Sequence, residues 1–455
     1  MVSRVDTSPF AAIVGDAHVL TDPDLTIRYR TDWTGRRTGA ADAVIRPRTT
    51  DEVAQTLAAC AASATSVVVQ GGNTGLVGGS VPPPRAEGPT VVLSTERMTD
   101  IGDVDTVETC VGVQAGATVA AIEAAAAAVG LHFAVDLASR DSATAGGIVA
   151  TNAGGVHVVR HGGTRAQLLG IEAALADGRV LRRWNPLRKD NVGYDLPGLL
   201  AGSEGTLAVI TGVLFALVPP TGETAVAVVG TESADDVFDL VGAVRRGGLA
   251  VEAAELMTAA GVELVVAAGA RPALPTAPAY QVLVEVSGSR AHQRLAEVLD
   301  ALGVVDAVIE AGPAPALWEL RERHTETIAA ASRTVPVKLD VGIARRDTEA
   351  FIAELDALAA AAPHPCRPIV FGHAADGNLH VNLLDVPDDR QAAVAHRVLE
   401  AVVARGGSVS AEHGIGRDKR NWLPVARDPA DLEAMRAIKR SWDPDGLLNP
   451  GVLFP

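Results

Sequence analysis

The sequence predicts a mixed α+β protein of two domains, and three observations lead to that fold class. The first half alternates short Val- and Ile-rich runs with glycines, as in "SVVVQGG" and "PTVVLST", which is typical of short strands joined by tight turns. The second half alternates strand patterns with helical ones, as layered helix-and-sheet domains do. Between the halves, "VPPTGET" (218–224) contains paired prolines, which end a strand and indicate a domain boundary.

The individual elements follow from the same patterns. In the first half, "ETCVGVQAG", "LLGIEAALADG" and "GTLAVITGVLFALVPP" are predicted strands, and the alanine-rich "ATVAAIEAAAAAVG" is a predicted helix. In the second half, the strands "TAVAVVG", "YQVLVEVSG", "VVDAVIEAG" and "VPVKLDVGI" alternate with the helices "ADDVFDLVGAVRRGG", "RAHQRLAEVLDALG", "PALWELRERHTETIAAA" and "DTEAFIAELDALAAAA". A last helix in "DPADLEAMRAIKRSW" is stopped by prolines and glycines.

Composition and charge exclude several classes of protein. The 455-residue chain has a formal net charge of −16, whereas proteins that bind a nucleic-acid backbone carry clustered Lys and Arg. Small anionic substrates stay compatible, since a basic pocket fits inside an acidic protein. Cys60, Cys110 and Cys366 are scattered, so neither a disulfide framework nor a CxxC metal site is predicted. With no signal-peptide pattern and no apolar run long enough to cross a bilayer, we expect a cytoplasmic protein, at most peripheral to the membrane.

Three glycine-rich segments indicate a ligand that lies along the backbone. They are "VVVQGGNTGLVGG" (67–79), "SATAGGIVATNAGG" (142–155) and "AGSEGTLAVIT" (201–211). Amides in such turns form anion-binding concavities, but neither a GxGxxG that opens a helix nor a GxxxxGK[ST] occurs. One cluster alone is equally well explained as a tight turn, whereas three together favour a pyrophosphate that carries two ring systems.

The stretch "FGHAADGNLHVN" (371–382) gathers two histidines and an asparagine around a glycine-rich bend. Its glycines oppose a helix, so "IVFGH" and "NLHVNLL" are predicted to form a hairpin with His380 and Asn382 on one face and His373 on the facing strand. Two imidazoles with Glu412 of "SVSAEHGIG" suit a divalent metal that keeps open positions. The alternative, histidines that make only structural hydrogen bonds, is the more frequent one for such spacing alone.

Five of these motifs occur in the same order in a known family. "GGNTGL", "ATNAGG", "GSEGTL", "GHAADGNLH" and "SAEHGIG" resemble the flavin-dependent enzymes of the vanillyl-alcohol oxidase superfamily, in the branch of D-lactate, glycolate and D-2-hydroxyglutarate dehydrogenases. The resemblance covers nearly the whole chain. It implies an FAD-binding domain of two subdomains (1–219), an α/β cap domain with an antiparallel sheet (220–404) and a C-terminal segment that returns to the FAD domain (405–455).

The resemblance also implies the cofactor contacts. The loop 71–76 would wrap the FAD pyrophosphate, and the second glycine-rich segment would lie beside the ribityl and adenosine parts. Members with covalent flavin carry a histidine in the first loop, where this chain has Asn73, so we expect non-covalent FAD. The expected FAD-binding residues are Gly71, Gly72, Asn73, Thr74, Gly75, Leu76, Ser142, Gly146, Gly147, Thr151, Asn152, Glu204, Ile210 and Asn449.

For the metal and the chemistry, the resemblance assigns ligation to His373, His380 and Glu412, with Zn²⁺ expected and Mn²⁺ or Fe²⁺ as alternatives. It assigns the base to His413, which would take the hydroxyl proton while a hydride passes to flavin N5. Imidazole titrates near neutrality and suits that task, and a nearby cation stabilises the alkoxide. The alternative role of His413 is to orient Glu412.

Substrate contacts are expected from four further positions. Arg321 and Thr325 are four residues apart on one predicted helical face, and a guanidinium suits a carboxylate. Taken alone, Arg321 is more readily explained as a solvated helix charge, but the resemblance matches both residues to substrate-binding positions. Lys338 lies in a Lys-x-Asp pattern that resembles the D-2-hydroxyglutarate dehydrogenases; its alternative is an outward-facing edge-strand lysine. With Asn382 and His413, these residues form the expected substrate-binding set.

The predicted function is FAD- and metal-dependent oxidation of a D-2-hydroxy acid to the 2-oxo acid, with D-2-hydroxyglutarate first and D-lactate or glycolate as alternatives. The expected partners are the anionic substrate and an electron acceptor, namely a quinone, an electron-transferring flavoprotein or another carrier. No nucleic acid or transmembrane segment is expected, and a homodimer is left open. A metal-dependent hydrolase would use the same histidines but gives the glycine-rich segments no role.

Overall fold

The structure, a computed structural model, describes residues 5–83 and 88–454, and the chain divides into two units. The first unit consists of Met1–Gly155, His161–Pro220 and Glu412–Pro455, and the second of Val156–Arg160 and Thr221–Ala411. The chain therefore crosses between the units at 155/156, 160/161, 220/221 and 411/412, whereas the expected boundaries lie at 219/220 and 404/405. Both units combine helices with sheets, which confirms the predicted α+β class.

The elements within the described ranges are numbered in chain order. The strands are β1 (Val19–Leu20), β2 (Ala43–Ile45), β3 (Ser66–Gln70), β4 (Thr90–Ser94), β5 (Cys110–Gln114), β6 (Leu168–Ala174), β7 (Val180–Arg183), β8 (Val209–Ala216), β9 (Thr224–Thr231), β10 (Ala250–Thr258), β11 (Tyr280–Ser287), β12 (Ala307–Ala311), β13 (Val337–Gly342), β14 (Arg367–His373) and β15 (Asn378–Leu384). The helices are α1 (Ser8–Val14), α2 (Pro23–Arg30), α3 (Thr50–Ala62), α4 (Val119–Ala127), α5 (Ala145–Thr151), α6 (Val158–His161), α7 (Leu196–Leu200), α8 (Ala234–Arg246), α9 (Ala259–Ala267), α10 (Ala291–Ala301), α11 (Pro315–Glu322), α12 (His324–Ala331), α13 (Thr348–Ala360), α14 (Asp388–Ala404), α15 (Leu423–Ala426) and α16 (Pro429–Trp442).

The first unit holds two four-stranded sheets. One has the order β1-β2-β4-β3, in which β4 pairs in parallel with β2 and β3. The other has the order β5-β8-β6-β7 with antiparallel pairs. The loop 71–76 follows β3 directly, and α5 carries the second glycine-rich segment, so each of these two glycine-rich segments is attached to a regular element.

The helix α3 shows how the sequence fixes β3 and the loop after it. Thr49 caps the helix by accepting a hydrogen bond from the Glu52 amide, a common role for an N-cap threonine. Val53, Leu57 and Cys60 recur at helical spacing and are buried against the sheet. Full burial of such a side chain contributes about 1.5–3 kcal/mol, so α3 is firmly held on the sheet that contains β3.

The second unit is built on one seven-stranded sheet with the order β12-β9-β11-β10-β14-β15-β13. Each pairing within it is antiparallel, which confirms the antiparallel sheet expected for the cap domain. The three strands β10, β14 and β15 are central, with β13 at one edge. These four strands carry the side chains discussed below.

One strand of the second unit is not predicted by the sequence pattern. Residues 249–268 carry no clear alternation, yet they form β10 and α9. The Ala, Glu, Leu and Met residues of β10 favour helix. Pairing with β11 on one side and β14 on the other overrides that preference, as sheet context commonly does.

The single helix predicted over 315–331 is wrong, because the structure has two helices that meet at Arg323. The His324 ring donates from Nδ1 to the Leu320 carbonyl oxygen at 2.8 Å. In an uninterrupted α-helix that carbonyl accepts from the His324 amide, so the side chain competes with the backbone. As a result, Arg321 and Thr325 lie on different helices.

Two further findings concern the cysteines and the long helices of the described residues. The three cysteines form no disulfide there. Within residues 5–83 and 88–454, no helix combines the length and the apolar character needed to cross a bilayer.

Candidate functional site

The hairpin β14–β15 carries both histidines. His373 ends β14, and His380 lies on β15 opposite Phe371. The two imidazole centroids are 5.4 Å apart, with ring planes at 81°. Asn382 follows two residues after His380 and therefore projects from the same face. The predicted hairpin and its shared face are confirmed.

The strands on either side of the hairpin place an acidic residue beside each histidine. In register, Glu255 of β10 lies opposite His373, and Asp340 of β13 lies opposite His380. Directly opposite residues of antiparallel strands project from the same face. The Asp340 Oδ1 is 3.8 Å from His380 Nδ1. Sheet register alone therefore gives each imidazole a carboxylate neighbour.

Glu255 makes the shorter of these contacts and is fully buried. Its Oε1 lies 2.6 Å from His373 Nδ1, and its Oε2 accepts from Arg321 Nε at 2.6 Å. Burial tends to raise the pKa of this carboxyl, but the charges and hydrogen bonds of His373 and Arg321 outweigh burial and hold the pKa below its usual value. The ionised carboxylate only accepts, so His373 Nδ1 carries a proton, and in the neutral imidazole Nε2 is then the atom that can ligate a metal.

The Phe371 ring packs against Arg321 and against two histidine rings. The Arg321 guanidinium carbon lies 4.5 Å from the Phe371 ring centroid, within cation–π range. The rings of His380 and His324 lie 5.1 Å and 4.9 Å from the same ring. Burial, assisted by the Arg321 charge, lowers the pKa of His324 to about 4, so this imidazole is neutral near pH 7 and packs against Phe371 as an uncharged ring.

Arg321 retains hydrogen-bond donors for a ligand. Its Nε is bonded to Glu255, while among the described residues Nη1 and Nη2 have no hydrogen-bond partner. The side chain is 11% exposed, so the guanidinium is accessible to a small molecule. Such a fork suits a carboxylate. Thr325, expected beside it, is exposed on α12.

The next pair on the same sheet face is Lys338 of β13 and Asn382 of β15. Asn382 is buried, and its amide makes only long hydrogen bonds, at 3.3 Å to the His380 carbonyl and 3.5 Å to the Ile369 carbonyl. Bonds of that length are weak, which leaves the amide able to bind a ligand. Lys338 is exposed and adds an ammonium to this face.

Glu412 and His413 follow directly on Ala411, the last residue of the second unit. The Ala411 amide donates to Asp340 Oδ2 at 3.1 Å, so the residue directly before Glu412 is held at this edge of the sheet. One ligand atom each from His373, His380 and Glu412 lies within 4.8 Å of the others, and the same holds for Asp340, Glu412 and His413. Two imidazoles with a carboxylate are a suitable donor set for Zn²⁺, Mn²⁺ or Fe²⁺, so these residues fit the expected metal.

In the first unit, the first two glycine-rich segments pack directly on each other. A Cβ on Gly72 would lie 1.8 Å from the Ser142 carbonyl oxygen, and a Cβ on Gly71 would lie 2.3 Å from the Thr144 hydroxyl. A Cβ on Gly146 would lie 2.8 Å from that of Ala115. Glycine is therefore required where the loop 71–76 and the start of α5 approach each other.

The loop 71–76 presents backbone amides to its surroundings. Among the described residues, none accepts a hydrogen bond from the amides of residues 72–76. The Asn73 side chain anchors the loop to the protein. It donates to the Thr31 carbonyl at 2.8 Å and accepts from the Ser80 hydroxyl at 2.7 Å. Asn73 has φ +52°, a conformation found in anion-binding turns. The loop fits an anionic pyrophosphate.

Buried hydroxyls add to this fit. Thr144 Oγ1 and Ser203 Oγ are buried and make no hydrogen bond with the described residues, an arrangement that a bound ligand or water would relieve. Thr144 lies between Gly71 and Gly147, where the two segments meet. The Thr144 hydroxyl and the amides of the loop 71–76 therefore lie together as donors that suit FAD, and Ser203 is a further buried hydroxyl of the third glycine-rich segment.

Several residues expected to touch FAD have side chains engaged within the fold. Thr151 donates to the Gly147 carbonyl at 3.0 Å, and Asn152 accepts from the Arg165 amide at 3.0 Å. Ile210 is buried in the core around β8. Other members of the expected set are exposed or half-buried, namely Gly71, Gly72, Asn73, Thr74, Gly75, Leu76, Ser142 and Gly147.

Glu204 and Asn449 join the third glycine-rich segment to the C-terminal segment. The Glu204 carboxylate accepts from the amides of Ile415 and Gly416 at 2.8 and 2.7 Å, and burial raises its pKa. Asn449 accepts from the Val69 amide at 2.8 Å and donates to the Glu204 carbonyl at 2.6 Å. Both side chains therefore fix the ends of β3 and of the third glycine-rich segment.

Sequence reasoning did not single out Glu255, Asp340 or Thr144 as site residues. Glu255 lies in β10, whose residues favour a helix, so the sequence pattern does not predict that its side chain lies beside the hairpin. Asp340 and Thr144 carry weak signals, since one follows Lys338 by two positions on a predicted strand and the other lies inside "SATAGG".

Two families of known proteins match the chain. The C-terminal domain of FAD linked oxidases matches residues 222–453, and the FAD binding domain matches residues 41–183. The D-2-hydroxyglutarate dehydrogenase of Xanthomonas citri pv. viticola is 36% identical, over 95% of this chain and 93% of its own length. The mitochondrial D-2-hydroxyglutarate dehydrogenase of Danio rerio is 34% identical, over 100% of this chain and 86% of its own.

The fold has solved counterparts. The crystal structure of p-cresol methylhydroxylase with substrate bound matches with a TM-score of 0.75 and 16% identity, over 98% of this chain and 95% of that one. At that identity the likeness concerns the fold alone. The C-terminal-domain match spans more than half of the chain, and the two relatives exceed 30% identity over most of their length, so the chain belongs to the FAD-linked oxidases and is an FAD-dependent oxidoreductase.

Proposed function

We propose that this enzyme oxidises a D-2-hydroxy acid, above all D-2-hydroxyglutarate, to the 2-oxo acid, with non-covalent FAD and one divalent cation. The observation that carries the proposal is the face of the second-unit sheet, where the Arg321 guanidinium, with its two Nη groups uncommitted, lies over the same ring as His380. A carboxylate site and a metal site are therefore neighbours. The named relatives support the substrate class.

The residues suited to hold FAD are the amides of the loop 71–76 and the hydroxyls of Thr144 and Ser203. A polyphosphate needs hydrogen-bond donors that approach closely, which glycine permits. Non-covalent binding is supported by Asn73, because its side chain is bonded to the protein and an amide is not the attachment residue of the covalent members.

The substitution Gly72→Ala is expected to reduce the FAD retained per polypeptide, because the added methyl group would lie 1.8 Å from a backbone oxygen and would push the loop off residues 142–144. The measurement is flavin absorbance relative to protein after gel filtration. Gly222→Ala is the matched control, since a Cβ at that glycine meets nothing within 4 Å. Equal flavin content in both variants would contradict the proposed cradle.

The residues suited to hold the cation are His373, His380 and Glu412, with Zn²⁺ as the first choice and Mn²⁺ or Fe²⁺ next. When bound, FAD supplies a two-electron acceptor and the cation supplies a Lewis acid for the substrate hydroxyl. The oxidation removes a proton from oxygen and a hydride from C2. The chain's part is to bind the carboxylate through Arg321 and to accept the proton at His413.

Lys338 supports a dicarboxylate as the substrate. Arg321 binds one carboxylate, and an ammonium opposite Asn382 gives the second carboxylate of hydroxyglutarate a partner that lactate does not need. Lys338→Ala is therefore expected to lower kcat/KM for D-2-hydroxyglutarate by about tenfold or more, the size of one charged hydrogen bond of about 1.5–3 kcal/mol, and to change D-lactate turnover little.

The control for Lys338→Ala is Arg397→Ala, which removes an exposed positive charge on α14 of the same unit. It is expected to leave the ratio of the two substrates unchanged. Equal losses for hydroxyglutarate and lactate in Lys338→Ala would remove the argument for a dicarboxylate.

The function is tested by anaerobic reduction of the bound flavin with D-2-hydroxyglutarate, its L enantiomer, D-lactate and glycolate, with and without a chelator. We expect loss of flavin absorbance with the D-hydroxyglutarate, slowed by the chelator. Faster reduction by D-lactate or glycolate would move the assignment to those substrates, and no reduction by any of them would refute it. The electrons then leave to an external carrier, such as a quinone or an electron-transferring flavoprotein.

A further inference from the structure

One buried carboxylate connects a residue of the metal site to a residue of the substrate site. Glu255 Oε1 lies 2.6 Å from His373 Nδ1, and Oε2 lies 2.6 Å from Arg321 Nε. The Glu255 side chain is 0% exposed, so water does not compete for either oxygen. Both contacts therefore lie within the buried interior of the second unit.

Each contact fixes what its partner presents to a ligand. A proton held on His373 Nδ1 leaves Nε2 with a lone pair, the form that ligates a metal. A guanidinium bound through Nε keeps one N–H of each Nη side by side at its far end, in the paired geometry that suits a carboxylate. The Phe371 ring beneath Arg321 at 4.5 Å limits the remaining rotation.

We propose that Glu255 is a positioning residue that sets the His373 tautomer and the Arg321 orientation together, so that metal binding and carboxylate binding depend on the same carboxylate. This inference rests on the proposed function and deepens it. Both Glu255 oxygens are engaged by His373 and Arg321, so Glu255 would act through these two residues. Fold stability alone does not account for it, because a buried ion pair is often no more stable than an apolar replacement.

The informative substitution is Glu255→Gln, which keeps the shape and removes one acceptor. Both partners donate to Glu255, and an amide accepts at one atom only. Arg321 has no alternative protonation state, so the amide oxygen is expected to turn towards it and the NH₂ group towards His373. The imidazole then accepts at Nδ1 and carries its proton on Nε2. Zn²⁺ affinity should fall by about 10–100-fold, the usual loss when an outer-shell partner of a ligand is removed.

Two further variants separate positioning from general destabilisation. Glu255→Ala removes both contacts and should also raise KM for D-2-hydroxyglutarate at saturating Zn²⁺ by about tenfold or more. Glu255→Asp keeps the charge and both acceptors and should retain part of the Zn²⁺ affinity. Asp385→Asn is the matched control, since Asp385 is also buried and bridges Arg333 and Arg367 at 3.3 and 2.9 Å in the same unit.

The measurements are Zn²⁺ affinity in chelator-buffered solutions, KM and kcat at saturating Zn²⁺, retained FAD and Tm. The inference would be overturned if the Glu255 variants had a lower Tm but the same Zn²⁺ affinity and KM as Asp385→Asn. That outcome would leave the proposed function intact. If Glu255→Ala does not fold, the Zn²⁺ affinity of Glu255→Gln tests the inference. A wild-type enzyme that binds Zn²⁺ but oxidises no hydroxy acid would refute the proposed function, and the Zn²⁺ affinities would still test Glu255. A wild type that retains neither Zn²⁺ nor Mn²⁺ would overturn both the metal site and this inference.

Discussion

His413→Ala is expected to slow anaerobic flavin reduction by the hydroxy acid by about 10²–10⁴-fold, the range that general-base catalysis commonly contributes. An alcohol is a very weak acid, so a hydride cannot leave C2 readily until the hydroxyl proton has an acceptor. His413 follows a proposed ligand, and one of its ring nitrogens lies within 4.8 Å of ligand atoms of Glu412 and Asp340. The measurement is the rate of absorbance loss in a stopped-flow instrument under saturating substrate.

The prediction for His413 distinguishes a base from a residue that merely orients Glu412. If His413 is the base, its removal takes away the proton acceptor but no metal ligand. The FAD and Zn²⁺ contents of the variant should therefore equal those of the wild type. The control is His396→Ala on α14, whose imidazole is 62% exposed and whose removal should leave the rate unchanged. A rate within threefold of wild type would remove His413 from the chemistry, and a loss of Zn²⁺ in parallel with rate would reassign it to support of Glu412.

The contrast between β14–β15 and β10 shows what the sequence predicts about this site. The hairpin is predictable, because glycines exclude a helix and alternation puts His380 and Asn382 on one face. The strand β10 is not, since its Ala, Glu and Leu residues favour helix and only pairing with distant neighbours makes it a strand. The position of Glu255 in the site cannot be predicted for the same reason. Its partner His373 is 118 positions away, and local periodicity says nothing about such a pair.

The glycine-rich segments show a second kind of limit. Their composition indicates that backbone is exposed to a ligand, and the uncommitted amides of the loop 71–76 agree with that. It does not say which neighbouring side chains face the ligand. Glu204 and Asn449 stand among the motifs, but their polar atoms bond to backbone groups of other segments. A short motif thus identifies the segment more reliably than each side chain within it.

The substitution Glu412→Gln is expected to lower both Zn²⁺ affinity and turnover. Loss of an outer-shell partner lowers metal affinity by about 10–100-fold, and loss of a direct ligand should lower it by more. A carboxylate offers a negative charge to the cation, whereas the amide oxygen of glutamine is neutral and a weaker ligand for Zn²⁺. The shape is unchanged, so the fold and the FAD content should be preserved. Metal content after dialysis against a chelator, followed by activity on adding back Zn²⁺, Mn²⁺ or Fe²⁺, measures both effects.

Glu400→Gln makes the same chemical change at a solvated position and is the control, since its carboxylate on α14 is 60% exposed beside His396. It should keep wild-type metal content. If Glu412→Gln retains metal equally well, Glu412 is not a ligand, and the second cluster of Asp340 and His413 becomes the place to search for the third donor. If excess Zn²⁺ restores turnover in Glu412→Gln, the carboxylate serves only affinity. If metal returns and turnover does not, the charge of Glu412 also tunes the Lewis acidity of the cation, because a neutral ligand set would make the cation a stronger Lewis acid towards the substrate oxygen.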